Sequence, residues 1–172
     1  MKNIRLRKIT SCAVLSCLAL VSFVIEGLFP PLFIPGARIG VSNVFILLSL
    51  ILLGTPYAYA TLIIKSLLGS LFAGNFSAVL YSLPAGLIAL TFEVFALKFS
   101  KFISLPAISV AGAVISNAVQ NAVFCLVTGV WEYMSFIPYL TLLGILSGLI
   151  VGFATYLIIK ILPPSFIDKL SK

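Results

Sequence analysis

Long apolar stretches, separated by short polar or proline-containing segments, make up most of the chain. A helix needs about 20 residues to cross a hydrocarbon core of ~30 Å. The apolar stretch from 39 to 73 is too long for one crossing, and Gly54-Thr55-Pro56 provides a break in its middle. The pattern predicts an all-α integral membrane protein with six transmembrane helices in a single domain, residues 1–172. The predicted spans cover residues 10–29, 39–53, 57–73, 77–99, 105–128 and 137–162.

The first apolar stretch has two interpretations. A basic segment precedes it, and Leu15-Ser16-Cys17 loosely resembles a lipoprotein cleavage site. The apolar run continues to Phe29, however, which makes it long enough to span. We therefore expect a retained first helix. Pro84 lies inside the fourth span and predicts a kink there.

Composition excludes a soluble domain. Hydrophobic residues account for 62% of the chain and charged residues for 9%, whereas a soluble domain carries about 25% charged residues. The net charge of +7 does not indicate nucleic-acid binding, because the basic residues lie at the ends of apolar segments. In a six-span topology nine of the eleven basic residues share one side: Lys2, Arg5, Arg7, Lys8, Lys98, Lys101, Lys160, Lys169 and Lys172. The positive-inside rule then predicts a multi-pass protein of the plasma membrane with both termini cytoplasmic.

The sequence lacks the residues and motifs that common enzymes use for catalysis. The chain has no histidine, its one aspartate is Asp168, and no phosphate-binding G-x-x-x-x-G-K-[ST] loop occurs. The cysteines Cys12, Cys17 and Cys125 form no C-x-x-C pair, so neither a disulfide framework nor a metal site is predicted. We expect no cofactor and no enzyme activity, which leaves binding and transport.

Polar side chains recur in the outer half of the predicted spans. Lys65 and Gln120 each lie eight residues from an outer end, about 12 Å deep, and Asn117, Gln120 and Asn121 share one helix face. Each polar group could be satisfied separately by a neighbouring helix. Their shared depth favours a pocket open to the exterior. The predicted ligand-binding residues are Glu26, Arg38, Asn43, Lys65, Asn75, Tyr81, Asn117, Gln120 and Asn121.

Lys65 is the most informative of these residues. A charge in mid-span costs at least about 2.5–3.5 kcal/mol unless it is paired or hydrated. Lys65 either forms a structural ion pair with Glu26 or holds an anionic group of a ligand. Glu93 lies about 24 Å from the outer end of the fourth span. We expect it to face the cytoplasmic half or a partner subunit.

Small residues line two of the predicted helices. Gly144, Gly148 and Gly152 repeat every four residues in the sixth span, a spacing that allows close helix approach. Ala13 and Cys17 form a similar strip in the first span. Such strips usually pack within the chain, but the strip on the first helix could also dock a second protein.

Three stretches of the chain resemble the Gx transporter family, which is also called heptaprenyl diphosphate synthase component I. The stretches are Pro35-Gly36-Ala37-Arg38-Ile39-Gly40-Val41-Ser42-Asn43, Lys65-Ser66-Leu67-Leu68-Gly69-Ser70-Leu71, and Ser109-Val110-Ala111-Gly112-Ala113-Val114 with Asn117 and Gln120. That family looks like a branch of the substrate-binding S components of bacterial energy-coupling-factor (ECF) transporters. The resemblance covers nearly the whole chain.

The resemblance implies a six-helix bundle similar to that of S components. Pro35, Gly36 and Ala37 would belong to a gate loop over the pocket. The Ala13 strip would dock on a transmembrane coupling subunit, and two ATPase subunits would drive the cycle. The chain departs from the family pattern at Cys17, where a second alanine is expected, and at Lys65, where arginine is frequent.

Three functions remain open from the sequence. The first is an S component that captures a small extracellular solute, similar to a vitamin or a precursor, for ATP-driven uptake. The alternative is a non-catalytic membrane subunit in isoprenoid or quinone metabolism or in a membrane redox system, with no outward polar pocket and a partner bound through span one or six. A secondary carrier is disfavoured, because no internal repeat is found.

Overall fold

The computed structural model describes residues 2–28, 40–74, 76–99 and 103–163. Within these ranges the chain forms six α-helices and one 3-10 helix, Trp131–Phe136, and no strand. The prediction of an all-α protein is confirmed. The helices are α1 (Lys2–Leu28), α2 (Asn43–Leu52), α3 (Thr55–Phe72), α4 (Ala78–Phe99), α5 (Leu105–Thr128) and α6 (Ile137–Ile161).

The helix ends differ from the predicted spans in three places. The basic segment that precedes the first apolar stretch is already helical, since α1 begins at Lys2 and arginine and lysine favour helices. The predicted span 39–53 contracts to the ten residues of α2. The segment expected to be a loop between the last two spans forms the 3-10 helix. Pro84 lies inside α4, and the helix continues through it.

Four helices of the described chain are long and apolar enough to cross a membrane: Ile4–Gly27, Ala78–Phe99, Leu105–Thr128 and Trp131–Ile161. The chain is therefore a membrane protein. The ten residues of α2 extend over only about 15 Å, which is half of a typical hydrocarbon core. The prediction that α2 and α3 also cross stays a prediction.

Neighbouring helices alternate in direction through the bundle. The first and third helices run parallel, because Cys12 lies beside Tyr57 and Phe23 packs on Gly69, in the same order along both helices. The second helix runs antiparallel to α3. Its direction follows from two hydrogen-bonded pairs, Asn43 with Lys65 and Ser49 with Thr61.

The last three helices continue this alternation. Along α4, Gly86 packs on Leu62 of α3, while Tyr81 contacts Phe124 near the end of α5 and Glu93 contacts Gly112 farther back. The fourth helix is therefore antiparallel to α5. The sixth helix is antiparallel to α5 as well, so the beginning of α1 and the end of α6 lie at the same end of the bundle.

The glycines of α6 allow a close approach between α6 and α5. A Cβ at Gly148 would lie 2.5 Å from the Cα of Val110, and one at Gly152 would lie 2.5 Å from the Cα of Pro106. Real Cβ atoms do not approach backbone atoms so closely. The Gly144-Gly148-Gly152 strip therefore packs on α5 of the same chain, as the spacing predicts.

The shortest α-helix, α2, is also the most enclosed. Helix α2 contacts α1, α3 and α6, and six of its ten residues are buried: Val44, Ile46, Leu47, Leu48, Ser49 and Leu50. Long helices around it expose apolar side chains such as Leu18, Phe95 and Leu146, as expected of surfaces that face lipid. The core therefore forms around α2.

Candidate functional site

A polar cavity of about 80 Å³ lies beside α2, and all six helices contribute to its lining. Two carboxylates, one ammonium group, two side-chain amides of α5 and several hydroxyls face it together with apolar residues. The polar lining side chains are those of Glu26, Ser42, Asn43, Lys65, Ser66, Ser82, Glu93, Ser109, Ser116, Asn117, Gln120 and Ser147. The predicted polar groups of α1, α2, α3 and α5 thus converge in one place.

Contacts with Asn43 and Phe23 help to hold Lys65 at this cavity. Its Nζ donates a hydrogen bond of 2.8 Å to Oδ1 of Asn43 and lies 5.5 Å from the centre of the Phe23 ring. A cation over an aromatic face is stabilised by about 0.5–2 kcal/mol, more where water is excluded. The side chain is only 7% exposed. These contacts place a buried positive charge at the cavity wall.

Glu26 organises the chain that leads into α2. Its Oε2 accepts a hydrogen bond of 3.1 Å from the N–H of Gly40, and its Oε1 accepts one of 3.0 Å from the N–H of Ser42. Gly40 has a φ of +76°, which glycine adopts without strain. A carboxylate before the first turn of α2 also complements the helix dipole. Glu26 therefore positions Asn43, and Asn43 accepts the bond from Lys65.

The expectation that Glu93 lies in the cytoplasmic half stays a prediction, whereas the alternative that it faces a partner subunit is wrong. Glu93 lines the same cavity as Lys65. A Cβ at Gly112 would lie 2.9 Å from Cδ of Glu93, so the missing side chain of Gly112 leaves room for this carboxyl group. Depth along a helix locates only the backbone, and α4 side chains lean toward the beginning of their helix, into the cavity.

Hydroxyl groups around the cavity are available to a ligand. Ser66 is 1% exposed, and its Oγ has no hydrogen-bond partner within the described residues; the same holds for Oγ of Ser82. Buried polar groups in proteins are nearly always hydrogen-bonded. A polar solute or water in the cavity would satisfy both serines.

The amide residues of α5 divide between two tasks. Asn117 lines the cavity, and its Nδ2 donates 3.1 Å to the carbonyl of Leu140 in α6. Gln120 also lines the cavity. Asn121 instead donates 3.0 Å to the carbonyl of Tyr133 and so secures the 3-10 helix. The shared helix face was predicted as one ligand-binding set, but the position of Asn121 at its edge directs that side chain to a neighbouring element.

Tyr81 also lies apart from the cavity lining. Its ring contacts the Phe124 ring edge to face at 5.7 Å between centres, and Phe124 contacts Tyr133 in the same way at 5.2 Å. Edge-to-face packing of this kind stabilises aromatic pairs. The structure thus places Tyr81 in an aromatic cluster between α4, α5 and the 3-10 helix, where packing rather than ligand contact accounts for it.

Several predicted residues cannot be placed or lie elsewhere. Arg38, Asn75 and the gate-loop residues Pro35, Gly36 and Ala37 are outside the described residues. Ala13 and Cys17 are exposed on the outer face of α1, whereas Cys12 and Ser16, on the opposite face, are buried against α3. The predicted docking strip is thus accessible. Among the described residues no three His, Cys, Asp or Glu side chains are close enough to hold a metal ion.

Sequence reasoning missed the cavity-facing stripes of α4 and α5. The α4 stripe consists of Ser82, Gly86, Ala89 and Glu93, and the α5 stripe of Ser109, Gly112, Ser116 and Gln120. Both recur every three or four residues, which is the signal of one helix face. A search for small residues at helical spacing beside a lone carboxylate would have assigned Glu93 to the pocket.

The sequence model of heptaprenyl diphosphate synthase component I matches residues 15–158. The chain belongs to this family. All the lining residues of the cavity, from Phe23 to Val151, fall within the matched segment. No curated protein and no solved structure matches the chain. Membership in the component I family was predicted from the residues and is confirmed, while the likeness to S components stays a prediction.

Proposed function

We propose that the chain is a non-catalytic membrane subunit that binds a small polar solute in the cavity between its helices. The observation that carries this proposal is the buried ammonium group of Lys65, held by Asn43 at the wall of a cavity. A charge inside a membrane domain is costly and tends to mark a binding site or a pathway. The hydroxyls of Ser66 and Ser82, which have no hydrogen-bond partner among the described residues, support the same conclusion.

The size of the cavity limits what it can hold. At about 80 Å³ it has roughly half the volume of an engineered cavity of about 150 Å³ that binds benzene. Its lining mixes charged and hydrogen-bonding side chains with apolar ones, so a bound hydrocarbon chain would leave buried polar groups without partners. The bound group is therefore compact and polar, and a prenyl chain does not fit in this conformation.

Family membership favours one setting for this binding. The family is described as component I of heptaprenyl diphosphate synthase, so the chain would work beside a prenyl diphosphate synthase as its membrane subunit. Lys65 suits the anionic head of a compact phosphate compound. This assignment to isoprenoid or quinone metabolism has more support from the family than transport has. A role as a subunit of a membrane redox system is a second, less specific version of the same subunit function.

The cavity favours a second setting, solute capture by an S component of an ECF transporter. The pocket with its polar side chains supports this setting, because a purely structural subunit needs none. In this setting the chain crosses the plasma membrane six times with both termini cytoplasmic, and the cavity opens outward. Ala13 and Cys17, both exposed on α1, would meet the transmembrane coupling subunit, which works with two ATPase subunits.

Co-purification from native membranes separates the two settings. Under the first we expect a prenyl diphosphate synthase subunit to be retained, and under the second a coupling subunit with ATPases. A double variant, Ala13→Leu with Cys17→Leu, should lose either partner if α1 is the docking surface. Ala107→Leu, at an exposed position of α5, is the matched control. Retention of the partner by the double variant would reject α1 as the docking surface.

Solute binding is tested through Lys65. Native mass spectrometry of the purified protein should show a small polar molecule that remains bound, and Lys65→Met should lose it while thermal unfolding stays cooperative. Lys65→Arg should keep part of the binding, because the charge remains although its geometry differs. Lys98→Met, which removes an exposed lysine at the end of α4, is the control. Equal retention by Lys65→Met and Lys98→Met would overturn the proposal.

A further inference from the structure

The carboxyl group of Glu93 faces the cavity without a partner from the described chain. It projects from α4 into the cavity lining, and it forms no hydrogen bond or ion pair with another described residue. An ionisable group within a membrane-spanning helix is costly and tends to mark a site or a path for an ion. Solute binding at Lys65 does not account for this carboxyl group.

No positive charge of the described chain pairs with Glu93. Helix α4 packs mainly on α3 and α5; α5 contains no charged residue, and Lys65 is the one charged residue of α3. Leu62 of α3 packs on Gly86 of α4, and from this register the backbones of Lys65 and Glu93 are about 15 Å apart along the bundle. Lys98, farther along α4, is exposed.

Two serine residues of α5 flank the position of the carboxyl group. A Cβ at Gly112 would lie 2.9 Å from Cδ of Glu93, so the carboxyl group lies at the level of Gly112. Ser109 precedes Gly112 by three residues, and Ser116 follows it by four, which is about 4.5–6 Å along the axis. Both serines line the cavity, and neither has a hydrogen bond with another described residue. Ser109 is 2% exposed.

The antiparallel arrangement of α4 and α5 directs Glu93 and Ser116 toward each other. Side chains lean toward the beginning of their own helix. The Glu93 side chain therefore leans toward the end of α5, whereas the Ser116 side chain leans toward the beginning of α5. Two carboxylate oxygens and the hydroxyl oxygens of two serines thus face one end of the cavity.

We propose that Glu93, Ser109 and Ser116 bind an alkali metal cation, sodium or potassium. Hard cations take oxygen ligands, and water completes their coordination. One carboxylate neutralises one positive charge, whereas a divalent ion would leave a buried charge unbalanced. The described chain also has no cluster of three acidic, histidine or cysteine side chains for tight divalent binding. This site is separate from Lys65, and the inference goes beyond solute binding there.

The test uses the full-length protein, purified in detergent with choline chloride as the salt. Sodium, potassium or methylammonium chloride then replaces choline chloride at constant ionic strength. The thermal unfolding midpoint and the heat of binding are measured. We expect sodium or potassium to raise the midpoint in a saturable manner, because a ligand that binds only the folded state stabilises it. Choline controls for ionic strength, since its bulky quaternary ammonium group cannot replace a small ion among these oxygens.

Variants assign the response to this group of oxygens. Glu93→Gln should abolish the response to sodium or potassium. Ser109→Ala and Ser116→Ala should each weaken cation binding about tenfold, the effect expected for the loss of a polar contact with a charged group. Glu132→Gln, which removes an exposed carboxylate of the 3-10 helix, is the matched control and should keep the wild-type response.

Three results would overturn the proposal. The first is an equal midpoint in choline, sodium and potassium, as expected if Glu93 is a neutral, protonated acid. The second is a response to sodium or potassium that Glu93→Gln retains. The third is stabilisation by methylammonium alone, which would assign the carboxylate to an amine. If Glu93→Gln does not fold, the serine variants decide, and wild-type affinity in both of them would reject the site.

Discussion

Glu26 contacts the backbone on both of its carboxylate oxygens. The N–H groups of Gly40 and Ser42 occupy Oε2 and Oε1, so this side chain is satisfied before any ligand arrives. Its effect on the cavity passes through Asn43, the next residue, which accepts the hydrogen bond from Lys65. At the scale of single residues, we therefore interpret Glu26 as a positioning residue rather than as a ligand contact.

Replacement of Glu26 should loosen the segment before α2. Glu26→Gln leaves one carbonyl acceptor for two N–H donors, and the loss of a bond to a charged acceptor costs about 1.5–3 kcal/mol. We expect faster amide hydrogen exchange at Gly40 and Ser42 and a lower unfolding midpoint. Glu132→Gln is the control for the change of charge. Unchanged exchange at both amides would contradict the positioning role.

The contact between Glu93 and Gly112 can also be tested at the residue scale, because the Glu93 side chain fills the space that a side chain at Gly112 would take. Gly112→Ala places a Cβ where the Glu93 side chain lies, and overpacking of this kind costs about 1–3 kcal/mol. Combination of Gly112→Ala with Glu93→Ala should recover most of the loss. Thermal or denaturant unfolding of the four proteins in the double-mutant cycle measures the coupling. Additive effects of the two changes would show that the side chain does not rest on Gly112.

Helix packing is the next scale, and the α5–α6 contact is its clearest case. The strip of glycines in α6 brings the backbones together at Val110 and Pro106. In a membrane, where apolar surfaces gain little from association, such close contact is a main source of helix affinity. Stability of the bundle should therefore depend on these glycines more than on the large apolar side chains around them.

Gly148→Ala and Gly152→Ala should destabilise the bundle more than Gly144→Ala. The first two place a Cβ 2.5 Å from a backbone Cα, whereas the third places it 3.1 Å away. Gly27→Ala is the control, since its Cβ would lie 3.7 Å from the Cβ of Ala73 and alanine favours a helix by about 1 kcal/mol. Unfolding midpoints of the four variants test this order. Equal destabilisation by the three α6 variants would contradict this order, because it would mean that α5 and α6 move apart easily enough to accept each added methyl group.

Hydrophobic length and proline breaks were sufficient to predict all six helices. They did not predict that α2 would have only ten residues, because apolar composition does not distinguish a short helix from the apolar segments that flank it. For the site, depth along the spans correctly grouped Lys65, Asn43 and Gln120 in one cavity. It did not anticipate that Glu93 lines this cavity or that Asn121 and Tyr81 contact neighbouring elements, since rotation about the helix axis determines where a side chain points.

At the scale of the whole molecule, the alternation of helices places the beginning of α1 and the end of α6 together. If all six helices cross, the α4–α5 connection lies on that same side, and the α5–α6 connection lies on the other. For this arrangement the positive-inside rule predicts a cytoplasmic shared side, because lysine and arginine are in excess at the beginning of α1 and the end of α4. This arrangement makes a direct prediction for labelling in cells.

Single cysteines at two exposed positions should report the orientation. In a background with Cys12, Cys17 and Cys125 replaced by alanine, Val130→Cys should react with a membrane-impermeant maleimide in intact cells. Ser104→Cys, at the beginning of α5, should react only after permeabilisation. Both positions are exposed in the structure, so a failure to react reflects the membrane barrier. Reaction of Ser104→Cys in intact cells would reverse the proposed orientation.

The enclosure of α2 has a consequence for how the protein responds to its bilayer. A lone helix of ten residues in lipid would force the bilayer to thin around it. Because α1, α3 and α6 surround α2, its length is matched to protein neighbours and not to acyl chains. Thicker or thinner bilayers should therefore tilt the long outer helices, while the pairing of Asn43 with Lys65 stays the same.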